Sequence, residues 1–213
     1  MSSLVTLDLS GNSLNHVAVW IFSLSNLVFL DLSSNSFQGP IPLELQNLTT
    51  LRHLDLGYNC FNYSIPHWLY RSGSLEYLSL SGNDLQGTIS DALRNLTYVK
   101  TIDLSFNNRL NGKLSRSLGK FCNLKSVSFS RVEMNQDIYE VLDVFSPGCV
   151  LKPLESLDLS NCHLSGQLMS SQLLQFKDLL QLVFLHFCSQ LCLWYYSRVF
   201  RRTLLFKISS SFQ

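Results

Sequence analysis

Five aspartates recur at nearly even intervals in this chain: Asp8, Asp31, Asp55, Asp103 and Asp158. Ser79 and Ser128 stand at the two remaining points of the same rhythm. A row of carboxylates brought side by side could share protons or hold a metal ion. Two residues before each of these points runs a second row: Thr6, Phe29, His53, Tyr77, Thr101, Ser126 and Ser156. Three consecutive members of it carry rings. A third row follows, consisting of Gly11, Ser34, Tyr58, Gly82, Phe106, Arg131 and Asn161. Aromatic side chains presented on a rigid support are what binding hot spots are made of. The candidate ligand-binding residues are therefore Phe29, His53 and Tyr77, with Tyr58 and Phe106 beside them. Catalysis finds no such support. The spacing argues for no Ser-His-Asp or Cys-His set, there is no CxxC pair and no phosphate-cradling glycine loop. No catalytic residue, cofactor or metal site is expected.

What places these rows is an internal repeat. The pattern Leu-x-x-Leu-x-Leu-x-x-Asn-x-Leu begins with Leu4, Leu7, Leu9, Asn12 and Leu14, and returns from Leu27, Leu51, Leu75, Val99, Leu124 and Leu154. Successive starts are 23, 24, 24, 24, 25 and 30 residues apart. The alternating x-Leu-x-Leu-x stretch predicts a short strand with its leucines facing inward. No single copy can bury its own apolar face, so the copies must stack into a parallel sheet with a continuous core. The Asn turns inward and bonds backbone groups that burial would otherwise leave unpaired, at about 1–3 kcal/mol each. Cys162 takes the Asn place in the last good copy, as a small buried thiol.

A second signature follows the Asn: Gly39-Pro40-Ile41-Pro42, Ser64-Ile65-Pro66, Gly87-Thr88-Ile89, Gly112-Lys113-Leu114 and Gly166-Gln167-Leu168. From Leu4 to about Lys177 the sequence resembles the plant-type leucine-rich repeat. That resemblance implies an α/β solenoid: a superhelix with a concave parallel sheet, convex 3-10 or short helices, and a second short strand from the added motif. It also makes the aspartate row part of the ordinary Leu-Asp-Leu-Ser motif. Cys122-Asn123-Leu124-Lys125-Ser126, the long sixth copy and the run Leu157 to Gly166 are similar to membrane-anchored, kinase-less receptor-like proteins of plants. The similarity implies recognition of a protein or peptide ligand on the outer face of the plasma membrane, in defence or developmental signalling, together with a co-receptor kinase. Secreted inhibitors of cell-wall polygalacturonases share the motif, so enzyme inhibition is an alternative. A truncated product without a function of its own is a third. The sequence departs from the receptor plan in having fewer repeats, no N-terminal cap, no anchoring architecture and no signal peptide at Met1 to Thr6.

The repeats are expected over 1–178, with a helical insertion near 135–146, and a non-repeat tail over 179–213. In the insertion Ile138, Val141, Leu142 and Phe145 lie on one helical face, and Asn135 can cap the helix with Asp137 in its first turn. Cys122 and Cys149 flank it, either as a disulfide or as two free thiols. Sequons at Asn47, Asn62 and Asn95 point to a secretory ancestry. In the tail Leu179, Leu182 and Phe184 keep the apolar spacing, but no Asn, Gly or Ile-Pro follows. Residues 179–196 read either as a membrane span with a basic flank or as the product of a changed reading frame. A net charge of +1 offers no basis for nucleic-acid binding.

Overall fold

The structure is a computed structural model and describes residues 3–145, 154–166 and the backbone of 184–186. In chain order its strands are β1 (Thr6–Asp8), β2 (Phe29–Asp31), β3 (Gln38–Gly39), β4 (His53–Asp55), β5 (Cys60–Phe61), β6 (Tyr77–Ser79), β7 (Gln86–Thr88), β8 (Thr101–Asp103), β9 (Arg109–Asn111), β10 (Ser126–Ser128), β11 (Ser156–Asp158) and β12 (Phe184–His186). Eight of them form one parallel sheet in the order β1-β2-β4-β6-β8-β10-β11-β12. Two small parallel pairs, β3 with β5 and β7 with β9, make a second strand layer; β3 and β7 reach into the added motif, whereas β5 and β9 end before Ser64 and Gly112, so the strand sits ahead of the motif there. Single 3-10 turns over 19–23, 43–47, 69–71, 91–95 and 116–120 close the repeats on the other side.

The alternation in each strand sends one leucine inward and its neighbours outward. Leu30, Leu54 and Ile102 are wholly buried, as are Leu32, Leu56 and Leu80 two positions on. The Asn residues join the repeats. Asn59 donates to Leu32 O, Leu56 O and Gly57 O, and its own carbonyl accepts from Phe37 N at 3.1 Å. Asn83 and Asn107 repeat the arrangement one and two turns along. Cys162 stands at the same place and is buried, and its thiol donates to Phe129 O at 3.0 Å. It keeps the bond across to the preceding repeat that the Asn side chain makes elsewhere.

The insertion forms helix α1 (Ile138–Phe145), with Ile138, Val141, Leu142, Val144 and Phe145 buried. Its cap is Asp137 and not Asn135. The Asp137 carboxylate accepts from Tyr139 N at 2.8 Å, whereas Asn135 sits at φ 45° and its side chain donates to Glu133. Asp137 is adjacent to the first helical residue, where an Asx oxygen can reach the free N–H two residues on.

Strand β12 corrects the expected register of the tail. Leu185, rather than Leu182, lies opposite Leu157, and Phe184 lies opposite Ser156. The apolar spacing fits the motif twice, three residues apart, and spacing alone cannot choose between the two fits. The strand falls inside the segment read as a span or a frame change. The rest of 179–213 lies outside the described residues, among which no helix is long and apolar enough to cross a membrane.

Candidate functional site

The parallel register puts each outward row on adjacent strands. Thr6, Phe29, His53, Tyr77, Thr101, Ser126 and Ser156 are direct neighbours across the sheet. Strands about 4.8 Å apart bring like positions within stacking reach. The Phe29 and His53 rings stack at 4.0 Å between centroids and 14° between planes. His53 and Tyr77 stack at 4.1 Å and 8°. The three rings make one ridge across three repeats, half-buried by each other and open on the sheet's outer surface. Aromatic pairs of this kind contribute roughly 0.5–1.5 kcal/mol beyond area burial.

The aspartate row runs alongside. Most of its members turn back onto their own loops: Asp31 accepts from Ser33 N, Asp55 from Gly57 N, Asp103 from Ser105 N and Asp158 from Ser160 N. Where Ser79 interrupts the row, its hydroxyl lies 3.2 Å from that of Ser81. The row meets the ridge at one place. Tyr77 donates its hydroxyl to Asp55 at 3.2 Å, and ligand-capable atoms of Asp31, His53 and Asp55 lie within 4.8 Å of one another. The electrostatics reflect that crowding. Burial pushes the Asp55 carboxyl up from its usual range, against the Gly57 N–H, and the Asp31 charge adds to the rise. Burial lowers the His53 imidazole, against the pull of Asp55 and Asp31. Burial first, then the Asp55 charge, pushes the Tyr77 phenol up to about 12.

Tyr58 and Phe106 belong to a separate line. Gly11, Ser34, Tyr58, Gly82, Phe106, Arg131 and Asn161 all have φ between 53° and 66°. The backbone turns sharply there to leave the sheet, and each such N–H from Gly11 to Arg131 donates to the next repeat. Tyr58 is 60% exposed and lies over Gly82, where an added Cβ would meet its ring at 2.8 Å. Phe106 is 44% exposed and carries the Arg131 guanidinium 5.0 Å above its ring centre. Among the described residues no ring contact joins either to the ridge. The five candidate residues thus form a continuous stack of three and two outlying aromatics. The nearness of Asp31, His53 and Asp55 was not anticipated. Its signal in the sequence was a His in the first row with an Asp two residues on, in its own repeat and in the one before.

The sequon residues Asn47, Asn62 and Asn95 are all exposed, and Asn47 and Asn95 end 3-10 turns away from the sheet. Cys122 is disulfide-bonded. Cys149 lies outside the described residues.

Comparison with known proteins agrees with the solenoid fold. The sequence matches the family described as Leucine rich repeat over residues 45–85, and again over 3–24, 26–48 and 153–172. It is 49% identical over 55 residues to Receptor-like protein EIX1 of Solanum lycopersicum, covering 25% of this chain and 5% of that protein. It is 36% identical over 66 residues to Receptor-like protein 13 of Arabidopsis thaliana, covering 30% of this chain and 6% of the relative. The chain therefore matches only a small part of the length of these relatives. Among solved structures it is similar to the Arabidopsis receptor kinase HAESA, determined with the peptide hormone IDA and the co-receptor SERK1. That match has 30% identity and a TM-score of 0.72 and covers 87% of this chain and 30% of that one. With the repeat, the sheet and these relatives in agreement, the chain is a leucine-rich repeat solenoid of the plant type, similar to the receptor-like proteins.

Proposed function

We propose that this chain is a ligand-recognition module of a plant cell-surface receptor-like protein. It binds a protein or peptide on its concave sheet and acts with a co-receptor kinase in defence or developmental signalling. The observation that carries the reading is the Phe29–His53–Tyr77 ridge. Three rings stacked at 4.0 and 4.1 Å on consecutive strands need little further ordering on binding, and pre-ordered aromatic anchors lose little conformational entropy when a partner covers them. Tyr58 and Phe106 extend the contact along the line where the chain leaves the sheet. The three sequon asparagines are exposed and lie outside the ridge, so glycans there would leave the ridge open and fit an extracellular setting. The solved HAESA complex with a peptide hormone and a co-receptor supports the same use of a like scaffold.

The test is a displayed random-peptide library panned on the secreted full chain. Enriched peptides should lose at least tenfold in affinity against the Phe29→Ala, His53→Ala, Tyr77→Ala triple variant, with its unfolding midpoint little changed. Peptides that bind parent and triple variant equally would move the binding surface off the ridge.

A further inference from the structure

Asp31 and Asp55 are the closest approach of two carboxylates to a histidine among the described residues. No Lys or Arg among the described residues pairs with either. The ion pairs there join Arg52 and Lys100 to Glu76, Arg109 to Asp84, Arg116 to Asp143 and Lys125 to Glu155. The two charges are therefore left facing one another at the edge of the ring ridge. His53 is fixed between Phe29 and Tyr77 by stacking on both faces, so its nitrogens lie in a plane that the rings define. Neither nitrogen makes a hydrogen bond among the described residues. Asp55 is held from two sides, by Gly57 N at 2.8 Å and by the Tyr77 hydroxyl at 3.2 Å. Asp31 is held by Ser33 N at 2.8 Å. These are the outer contacts that orient ligands around a bound ion.

From this placement we infer that Asp31, His53 and Asp55 form a binding site for a divalent transition-metal ion on the concave face. The three donors lie within 4.8 Å of one another. Two donors on one tetrahedral ion with bonds of about 2.1 Å stand about 3.4 Å apart, so the Asp31 and Asp55 carboxylates would turn toward the fixed imidazole to close the site. One imidazole and two carboxylates suit Zn(II) or Co(II), whereas Ca(II) and Mg(II) prefer all-oxygen sites. The ion neutralises the paired carboxylates, and its remaining positions face the surface on which a ligand would lie. This inference stands on the cluster's own geometry and is independent of the peptide-binding reading. The other rows of this sheet lack the same chemistry. Asp8, Asp103 and Asp158 have Thr6, Thr101 and Ser156, not His, two residues earlier.

The test is titration of the purified full chain with Co(II), followed by its visible absorption, and with Zn(II) by calorimetry. One ion per chain is expected, displaced by chelator and not by excess Ca(II). His53→Ala should lower affinity at least tenfold. Asp31→Asn, which leaves the ring stack intact, should do the same, while Cys60→Ser should change nothing. An absence of Co(II) binding at millimolar metal, or equal binding by parent and Asp31→Asn, overturns the site. Loss of binding on Cys60→Ser alone overturns it too, by placing the ion on the exposed thiol.

Discussion

Replacing Asn83 by alanine tests what joins one repeat to the next. The Asn83 amide donates to Leu56 O, Leu80 O and Ser81 O at 3.0–3.2 Å, and its carbonyl accepts from Phe61 N at 3.0 Å. The three carbonyls keep other partners after the substitution: Asn59 on Leu56, Asn107 on Leu80 and Tyr58 N on Ser81. The Phe61 N–H keeps none among the described residues, and Phe61 is buried. One orphaned buried donor costs about 1–3 kcal/mol, and the weakened acceptors bring the expected loss to about 2–4 kcal/mol. Asn12 is the control. It occupies the same motif position but is exposed and bonds only Leu9 O and Ser10 O of its own repeat. Water replaces such bonds, so Asn12→Ala should cost under about 1 kcal/mol. Denaturant unfolding measures both variants, and amide hydrogen exchange reads Phe61 directly. If Asn83→Ala costs no more than Asn12→Ala, or the Phe61 amide stays as protected as in the parent, the Asn ladder is not what ties the repeats.

Three further outcomes are expected. Behind a signal peptide in a plant secretory host, Asn47, Asn62 and Asn95 should all carry glycans by mass spectrometry, and three bare sites would remove the extracellular reading. The Tyr77 phenol is raised from 10.0 to about 12, so the fold favours its neutral form; the stability this contributes is fully present below about pH 10 and lost as pH rises through about 12. Parent stability should thus fall more steeply than that of Tyr77→Phe over that window, and parallel curves would refute the half-buried phenol–carboxylate contact. Non-reducing peptide mapping should join Cys122 to Cys149, and Cys149→Ser should lower stability by about 3–4 kcal/mol from the loop it opens; a free Cys149 thiol would sink both.

The repeat made much of this fold legible in the sequence. A fixed period with inward leucines leaves one register for the sheet, so the outward rows from Thr6 to Ser156 could be written down residue by residue. The helix at 138–145 showed through its apolar stripe. Local alternatives of similar chemistry were harder. Asn135 and Asp137 are both good caps, and only the backbone path decides that Asp137 reaches Tyr139 N. Leu182 and Leu185 both satisfy the motif, and only the pairing of β12 with β11 separates them. The Asp31, His53 and Asp55 grouping was hidden for another reason. The aspartate row has a sufficient structural role in its own loops, and a rule learned from the row hides the one member pair beside which a histidine stands.

The left-handed line at the rim of the sheet has a consequence for how such a chain can change. From Gly11 to Arg131 each of its residues is fixed by its main-chain N–H to the following repeat, whether the side chain is absent, as in Gly82, or as large as in Tyr58, Phe106 or Arg131. A non-glycine residue there carries a conformational penalty of about 1–2 kcal/mol, smallest for Asn and Asp and larger for bulky or β-branched side chains. The line therefore behaves like a row of type slots in a frame, in which neighbouring letters must still fit: a Cβ at Gly82 would meet the Tyr58 ring at 2.8 Å. Side chains at this rim vary only within the fit of their neighbours, as Tyr58 over Gly82 and Arg131 over Phe106 show, while the leucines and asparagines behind it hold the frame.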